Sequence, residues 1–326
     1  MKVLITGSSG YLGQHFLHTL IKRISTDQNC DLTIYATYGS MEGFKDNVIS
    51  SLLSLSSSRI YVDQLDLKNA KSIQSYFESN GPFDICFHLA AMSSPKVCQC
   101  NHEYARDINV PLYLFDALEN TAIVALSTDQ VYCGQKAPYS EDNSKPDPVN
   151  VYAQTKLDME KILLAKRIQP TVCLRSSIIL GPMGPFGGAH STFLHFCQSR
   201  EGIETTFFTD EIRSVISVSD VVQILLHYCD TFHSHKSFAS GVYNMGGPDR
   251  VSRMEMAIAV AKECKFAYEG LFIPAEKAKL NFISVNDDVH VPSPIDISMD
   301  SSKLEQVVGW KFSGLEATVR KTFSST

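Results

Sequence analysis

The sequence lacks a strong basic character and any long apolar run. Its 326 residues carry a formal net charge of −6, and lysine and arginine form no dense cluster. Nucleic acids and acidic membrane surfaces are bound through such clusters, so neither is expected as a partner. The apolar stretch near the N-terminus is only a few residues long, too short for a signal peptide or a transmembrane span. We therefore expect a cytoplasmic protein.

The cysteines lack the even number and the regular spacing of a disulfide framework. There are nine, scattered from Cys30 to Cys264, which is typical of buried thiols in a reducing compartment. Cys98 and Cys100 are separated by one residue, but no second group of ligands accompanies them, so no metal site is predicted. With 44% hydrophobic residues, the chain can bury a large core.

A glycine-rich turn stands close to the N-terminus, between a predicted strand and a predicted helix. The apolar run Val3 to Ile5 is typical of a buried parallel strand, and a G-x-x-G-x-x-G pattern follows at Gly7, Gly10 and Gly13. These glycines permit a tight turn and a close approach of the backbone to a pyrophosphate, and the helix N-terminus attracts phosphate charge. The segment is a variant of the dinucleotide-binding fingerprint.

Strand and helix patterns alternate through the first half, which indicates βαβ units and a parallel sheet. We predict strands at 2–6, 32–37, 60–62, 84–89, 122–126 and 171–174, helices near 69–79 and 103–119, and an irregular serine-rich insertion at 50–58. The expected fold class is α/β: a Rossmann-type doubly wound parallel sheet with a smaller C-terminal α/β substrate lobe. The NAD(P)-binding domain is placed at 1–180, with 215–245 returning to it, and the substrate lobe at 181–214 and 246–326. The breaker-rich stretch 181–188 is expected to be a loop facing the substrate.

Tyr152 and Lys156 lie four residues apart on a predicted helix. Residues at this spacing share a helix face, so the Lys156 ammonium can lie beside the Tyr152 phenol and favour its charged form. A free tyrosine, with a pKa of about 10, needs such a neighbour to exchange protons at neutral pH. Together with the glycine turn, the pair indicates redox chemistry on a nicotinamide cofactor.

With these residues in order, the sequence resembles the extended short-chain dehydrogenase/reductase family over nearly the whole chain. The features that carry the resemblance are Gly7/Gly10/Gly13, Asp66-Leu67, His88-Leu89-Ala90-Ala91, Asn109, Ser127-Thr128-Asp129 and Tyr152/Lys156. Two branches are similar: the dTDP-4-dehydrorhamnose reductases, and the regulatory beta subunit of methionine adenosyltransferase. The closing segment 292–304 is similar to both.

The resemblance implies roles for individual residues. Tyr152 would donate the proton, Lys156 would bind the nicotinamide ribose and tune Tyr152, and Thr128 would hold the substrate oxygen. Ser176, Ser177 and Ile179 would flank the nicotinamide. The full set of cofactor-binding candidates is Gly7, Ser9, Gly10, Tyr11, Leu12, Gly13, Tyr38, Ser40, Asp66, Leu67, Leu89, Ala90, Ala91, Ser93, Asn109, Ser127, Tyr152, Lys156 and Ile179.

Single positions separate the alternatives. Nucleotide-sugar 4,6-dehydratases of this family carry a glutamate base where Gln130 stands, and an amide cannot take a proton at neutral pH. The predicted end of strand two, Ala36 to Ser40, has no acid to repel a 2′-phosphate, which favours NADP(H) and leaves NAD(H) open.

Arg213 is a candidate for binding the substrate phosphates, because a guanidinium binds them in bidentate fashion. An ion pair of Arg213 with Asp210 or Glu211 is the alternative.

Three functions follow from the resemblance. The first is an NADP(H)-dependent reductase of a 4-keto group on a nucleotide-linked deoxysugar. The second is a cofactor-binding regulatory subunit with a methionine adenosyltransferase as its protein partner. The third is a nucleotide-sugar 4-epimerase. A homodimer is compatible with each of them.

Overall fold

The computed structural model describes residues 1–27, 30–52, 59–165, 169–188, 191–279 and 291–324. Its strands are β1 Lys2–Thr6, β2 Thr33–Tyr38, β3 Ile60–Gln64, β4 Ile85–His88, β5 Ala122–Thr128, β6 Thr171–Ser176, β7 Ile179–Leu180, β8 Thr205–Phe208, β9 Ile212–Arg213, β10 Ile216–Ser217, β11 Gly241–Met245, β12 Val251–Ser252 and β13 Phe272–Ala275. Its α-helices are α1 Tyr11–Thr26, α2 Phe44–Leu52, α3 Ala70–Asn80, α4 Pro95–Cys100, α5 His102–Asn109, α6 Leu112–Ala117, α7 Val151–Ala165, α8 Phe193–Gln198, α9 Val218–His235, α10 Arg253–Cys264, α11 Ser302–Val308 and α12 Leu315–Phe323.

A central parallel sheet organises the molecule. Among the described residues it has seven strands in the order β11-β6-β5-β4-β1-β2-β3, and every neighbouring pair is parallel. The strand order changes direction at β1, whose neighbours are β2 and β4. Ligands of such sheets bind beyond the carboxyl ends of the strands at this point. The predicted Rossmann-type fold is confirmed.

Both faces of the sheet are buried. Successive residues of a strand point to opposite sides, so neighbouring residues of β1 belong to different apolar clusters. Val3 and Ile5 of β1 pack with Phe16 and Leu17 of α1 in one cluster. Leu4 belongs to a second cluster, on the other face, with residues of α3, α6 and α7. Because β1 is buried on both faces, its sequence is a continuous apolar run and does not alternate between apolar and polar residues.

The second half adds smaller elements around a third apolar cluster. This cluster includes Leu194 of α8, Phe207 of β8, Val260 of α10 and Val319 of α12. Ser252 begins α10 with a capping box in which Glu255 reciprocates, as its spacing indicates. The sequence-based division into domains at residue 180 stays a prediction, although β11 is seen to join the central sheet beside β6.

Two predicted elements are wrong in detail. The helix expected near 103–119 is split into α5 and α6, because Pro111 lacks an N–H and disfavours helical geometry at Val110. The insertion predicted at 50–58 is helical up to Leu52, the last residue of α2; residues 53–58 lie outside the described residues. None of the described helices combines the length and apolarity needed to cross a membrane.

Candidate active site and cofactor crevice

A crevice of about 680 Å³ lies beyond the carboxyl ends of the central strands. Ten of the candidate cofactor residues line it: Gly7, Ser9, Gly10, Tyr38, Ser40, Asp66, Leu67, Leu89, Ala90 and Ala91. The lining also contains Thr37 and Gly39 of the predicted end of strand two, Gly188 of the loop 181–188, and residues that sequence reasoning missed: Met41, Gln64, Leu65, Lys68, Met92, Tyr104 and Ile108. Their side chains follow no motif, and the only available signal was the position of some of them next to predicted strand ends.

The glycine turn brings backbone close to backbone at one end of the crevice. Gly7 has φ +73°, and a Cβ built there would stand 2.5 Å from the backbone nitrogen of Ala90. A Cβ on Gly13 would stand 2.2 Å from the carbonyl oxygen of Gly7. Helix α1 begins at Tyr11 with no side-chain cap, so its first N–H groups face outward without intrahelical acceptors. This arrangement fits a pyrophosphate, as the sequence predicts.

The end of strand β2 forms another wall of the crevice. Tyr38 packs edge-on against Phe44 with ring centroids 5.3 Å apart, and Ser40 is exposed. The side-chain amide of Gln64 donates to the carbonyl of Gly39 at 2.6 Å, which joins the ends of β2 and β3. Thr37 also lines the crevice, but its side chain is buried and its hydroxyl donates to the Ile5 carbonyl at 3.2 Å.

Thr128 and Tyr152 are brought together from the end of β5 and the start of α7. Tyr152 is 9% exposed. Burial raises the pKa of its phenol above the usual range, while the hydrogen-bonding Thr128 hydroxyl acts in the opposite direction and Asp129 raises it further. The Thr128 hydroxyl also donates to Asp129 at 3.2 Å and accepts from the N–H of Gln130. Both hydroxyls are therefore buried, and the phenol of Tyr152 keeps its proton.

Lys156 is buried beside Met159. It is 1% exposed, and its ammonium donates to the sulfur of Met159 at 3.3 Å. Burial lowers its pKa to about 8, against smaller opposite effects of Cys173 and Glu160. Besides burial, the groups that shift the phenol pKa of Tyr152 are Thr128, Asp129 and Cys98; the acidification of Tyr152 by Lys156 stays a prediction.

Several candidate cofactor residues have partners within the protein. Asn109 accepts from the N–H of Met92 at 2.7 Å and donates to the Thr155 hydroxyl at 2.9 Å, which ties the β4 loop to α7. Ser127 donates to Glu160, the partner of Arg175. Both residues contact helix α7 and are not among the described residues that line the crevice.

Three further candidates are not among the described residues that line the crevice. Ser93 is exposed, Leu12 is buried in the core, and Ile179 pairs with Ile216. Of the two serines expected beside the nicotinamide, Ser176 donates to the carbonyl of Ser177.

The loop 181–188 packs largely on helix α1. The Tyr11 hydroxyl donates to the Pro182 carbonyl at 2.9 Å, and Gln14 donates to the Gly187 carbonyl and accepts from the Phe186 N–H. The side chain of Tyr11 is thereby committed to this loop, so only its backbone remains to bind a phosphate. Gly188 reaches the crevice lining.

Arg213 is buried in an ion network. Its guanidinium donates to Glu211 at 3.3 Å and to the carbonyls of Ile212, Pro294 and Ile295. Glu211 also pairs with Arg253 and Lys277, at 2.9 and 2.8 Å. Burial raises the pKa of Glu211, but these cations outweigh it and hold that pKa at about 2. The ion pair with Glu211, the alternative weighed from the sequence, is observed, and a role of Arg213 toward substrate phosphates stays a prediction.

The cysteines show no metal site among the described residues. Six of the nine are buried and all are free thiols. Cys98 and Cys100 belong to helix α4, and Cys98 donates to the Met92 carbonyl at 3.3 Å.

Comparisons with known proteins agree with this geometry. Methionine adenosyltransferase 2 subunit beta of Xenopus tropicalis is 24% identical, over 94% of this chain and 82% of the relative. A dTDP-4-dehydrorhamnose reductase of Aggregatibacter actinomycetemcomitans is also 24% identical, over 94% of this chain and 93% of that enzyme. The crystal structure of the Bacillus anthracis dTDP-4-dehydrorhamnose reductase in complex with NADP has a TM-score of 0.75 at 18% identity, covering 100% of this chain and 99% of that one. UDP-glucuronic acid 4-epimerase of Bacillus cereus, solved with UDP-glucuronic acid and NAD, has a TM-score of 0.75 at 20% identity, over 99% of this chain and 98% of that one.

The fold and the crevice define an NAD(P)-dependent oxidoreductase of the extended short-chain dehydrogenase/reductase type. The family model described as RmlD substrate binding domain matches residues 1–325, and the chain belongs to this family. The resemblance drawn from the sequence is confirmed.

Proposed function

We propose that the protein is an NADP(H)-dependent carbonyl reductase that acts on the 4-keto group of a nucleotide-linked deoxysugar. The observation that carries the proposal is the buried pair of Thr128 and Tyr152 hydroxyls, on the same sheet edge as the dinucleotide crevice. A bound NADPH would supply a hydride to the carbonyl carbon. Tyr152 donates its proton to the carbonyl oxygen, Thr128 holds that oxygen, and the carbonyl becomes an alcohol.

The protonation state of Tyr152 suits a proton donor. Burial holds the phenol in its neutral form at neutral pH, so the proton is present when the alkoxide develops. A water-poor site also strengthens the hydrogen bonds that stabilise this charge. Lys156 would need to turn from Met159 toward the ribose to assist, and its pKa of about 8 leaves the ammonium largely charged at pH 7.

The preference for NADP(H) is supported by the crevice wall at the end of β2. Tyr38, Gly39 and Ser40 line the crevice there, and none of them carries a carboxylate that would repel a 2′-phosphate. The relative from Bacillus anthracis was solved with NADP. NAD(H) stays an alternative, since the Bacillus cereus epimerase was solved with NAD.

The test is a comparison of the wild type with Tyr152→Phe. We expect NADPH consumption with a dTDP-4-keto-6-deoxysugar in the wild type, and a loss of turnover of at least about 10²-fold in the variant with unchanged NADPH affinity. Equal turnover of the two proteins would contradict the role of Tyr152. Interconversion of nucleotide sugars without net NADPH consumption would favour a 4-epimerase instead.

A regulatory role is the second function that the observations favour. The observation that favours it is the ammonium of Lys156, which contacts the sulfur of Met159; in this position it would not assist proton transfer by Tyr152. Relatives from five vertebrates are methionine adenosyltransferase 2 beta subunits. Retention of a methionine adenosyltransferase on the immobilised protein, with no NADPH consumed on any keto-sugar, would select this function. For both functions we propose a cytoplasmic location and a homodimer.

A further inference from the structure

Helix α7 carries a buried carboxylate on the same face as its buried lysine. Glu160 follows Lys156 by four residues, a spacing at which side chains of opposite charge pair along a helix. Glu160 is 2% exposed and Lys156 is 1% exposed, and opposite charges attract each other more strongly away from water. The ammonium of Lys156 nevertheless donates to the sulfur of Met159 at 3.3 Å, which is a weak acceptor.

Arg175 of strand β6 binds the Glu160 carboxylate. Its Nη2 donates to Oε2 of Glu160 at 2.7 Å, and its Nε donates to Oε1 at 3.1 Å and to Oε2 at 3.2 Å. The hydroxyl of Ser127, on strand β5, donates to Oε1. Donors from two strands thus bind both oxygens of the carboxylate, and the guanidinium compensates its charge.

The guanidinium of Arg175 is itself held in place. Its Cζ lies 5.2 Å from the ring centroid of Tyr132, and its Nη1 donates to the Tyr132 hydroxyl at 2.9 Å. That hydroxyl donates to the side chain of Asn244, on β11, at 2.8 Å. Because Arg175 is planar and is attached at both ends, its orientation toward Glu160 is fixed before any ligand binds.

We propose that Arg175 is a positioning residue that keeps Lys156 available to the cofactor, because it holds the Glu160 carboxylate that would otherwise pair with the lysine. Met159 binds the ammonium only weakly, so Lys156 can turn toward the nicotinamide ribose at little cost. Without Arg175, an ion pair with Glu160 would retain the ammonium on its own helix. The inference rests on the role of Lys156 in the proposed function, but the pairing itself is measurable without cofactor or substrate.

The first measurement is the pKa of the Lys156 amine, by NMR of protein labelled in its lysine side chains, with Lys156→Met to assign the signal. In the wild type we expect a value of about 8, since burial lowers this pKa more than Cys173 and Glu160 raise it. In Arg175→Met the pKa should rise by at least about 1, because the carboxylate becomes free to pair with the ammonium. In the double variant Arg175→Met/Glu160→Gln it should return to about 8 or below, since no carboxylate remains.

The second measurement is the dissociation constant of NADPH, by calorimetry. We expect binding weaker by on the order of tenfold in Arg175→Met, and a return to within about twofold of the wild type in the double variant. If Arg175 served stability alone, the double variant would bind no better than Arg175→Met, and this result would overturn the inference. Arg106→Met is the matched control, because it removes an exposed arginine from Asp158, another carboxylate of α7. It should change neither the Lys156 pKa nor the NADPH affinity.

Ser127→Ala keeps the inference testable if Arg175→Met does not fold. It removes one donor from Glu160 and retains the buried ion pair with Arg175, so the pKa of Lys156 should rise in the same direction. An unchanged Lys156 pKa in every folded variant would overturn the inference. If the wild type binds no NADPH, the proposed function fails, while the Lys156 pKa still decides the role of Arg175. If all variants bind NADPH as the wild type does, only the inference fails.

Discussion

The ammonium nitrogen of Lys156 lies 3.3 Å from the sulfur of Met159, one helical turn further along α7. Both side chains are buried, at 1% and 0% exposure. A thioether is a weak acceptor, so the charge of Lys156 is poorly compensated in this state. Its lowered pKa, about 8, is the expected result of that burial.

Replacing this lysine by an apolar residue of similar length should stabilise the cofactor-free protein. For Lys156→Met we expect the free energy of unfolding at pH 7 to rise by about 2 kcal/mol, because a buried charge is removed. Urea unfolding measures it. Lys161→Met, an exposed lysine of the same helix, should change it by less than about 0.5 kcal/mol. A destabilised Lys156→Met would show that the ammonium has better partners than Met159.

The same lysine predicts a pH dependence of stability. Its pKa falls from 10.5 in the unfolded chain to about 8 in the folded protein, so the unfolded state binds more protons between these values. Unfolding free energy should therefore rise with pH through this window, with the penalty fully present below about 8 and absent above 10.5. Subtracting the urea data of Lys156→Met from those of the wild type isolates this slope. A flat difference between pH 8 and 10.5 would contradict the shifted pKa.

Glu211 should be required for stability. Glu211→Gln leaves the cations of Arg213, Arg253 and Lys277 without their shared carboxylate, and we expect a loss of about 3 kcal/mol. Glu276→Gln, which breaks an exposed pair with Lys279, should cost less than about 0.5 kcal/mol. Thermal unfolding of the wild type and of both variants at neutral pH measures the two losses of stability. Equal, small losses would show that the network contributes nothing net.

Acid should remove the contribution of Glu211 in a defined window. Because its folded pKa of about 2 lies below the ordinary glutamate pKa of 4.5, the contribution is complete above pH 4.5 and is lost as pH falls toward 2. The difference in unfolding free energy between the wild type and Glu211→Gln should shrink over that range. A constant difference would mean that Glu211 is not the titrating group.

The glycine turn predicts a contrast between two alanine substitutions. Gly7→Ala places a Cβ 2.5 Å from the Ala90 nitrogen at φ +73°, so we expect a loss of about 3 kcal/mol and weaker NADPH binding. Gly39→Ala has nothing within 4 Å of its Cβ and should leave the free energy of unfolding nearly unchanged. Denaturant unfolding and NADPH titration check both. A stable Gly7→Ala with normal affinity would refute close backbone packing at this turn.

Local signals account for the parts of the fold that could be predicted. The apolar run of β1, the glycines after it and the capping box at Ser252 each specify their own conformation, and all three appear where expected. The split at Pro111 had a local signal too, which the apolar pattern on either side obscured. The parallel pairing itself followed from the alternation of strand and helix.

Side-chain directions could not be read in the same way. Spacing puts Tyr152 and Lys156 on one face of α7, but it does not choose between Tyr152 and Met159 as the neighbour of a flexible lysine. Lys68 and Tyr104 are distant in sequence and meet only in three dimensions. The burial of Arg213 depends on the carbonyls of Pro294 and Ile295, which the fold brings from the far end of the chain.

The position of β11 beside β6 has a consequence for how the chain is made. On the ribosome, β6 emerges before α8 and α9, whereas its outer partner follows both. Until then β6 is an edge strand with unpaired backbone groups, and its six residues, all buried in the folded protein, are exposed. Exposed edge strands of this kind aggregate. Nascent or truncated chains that stop before Gly241 should therefore depend on chaperones.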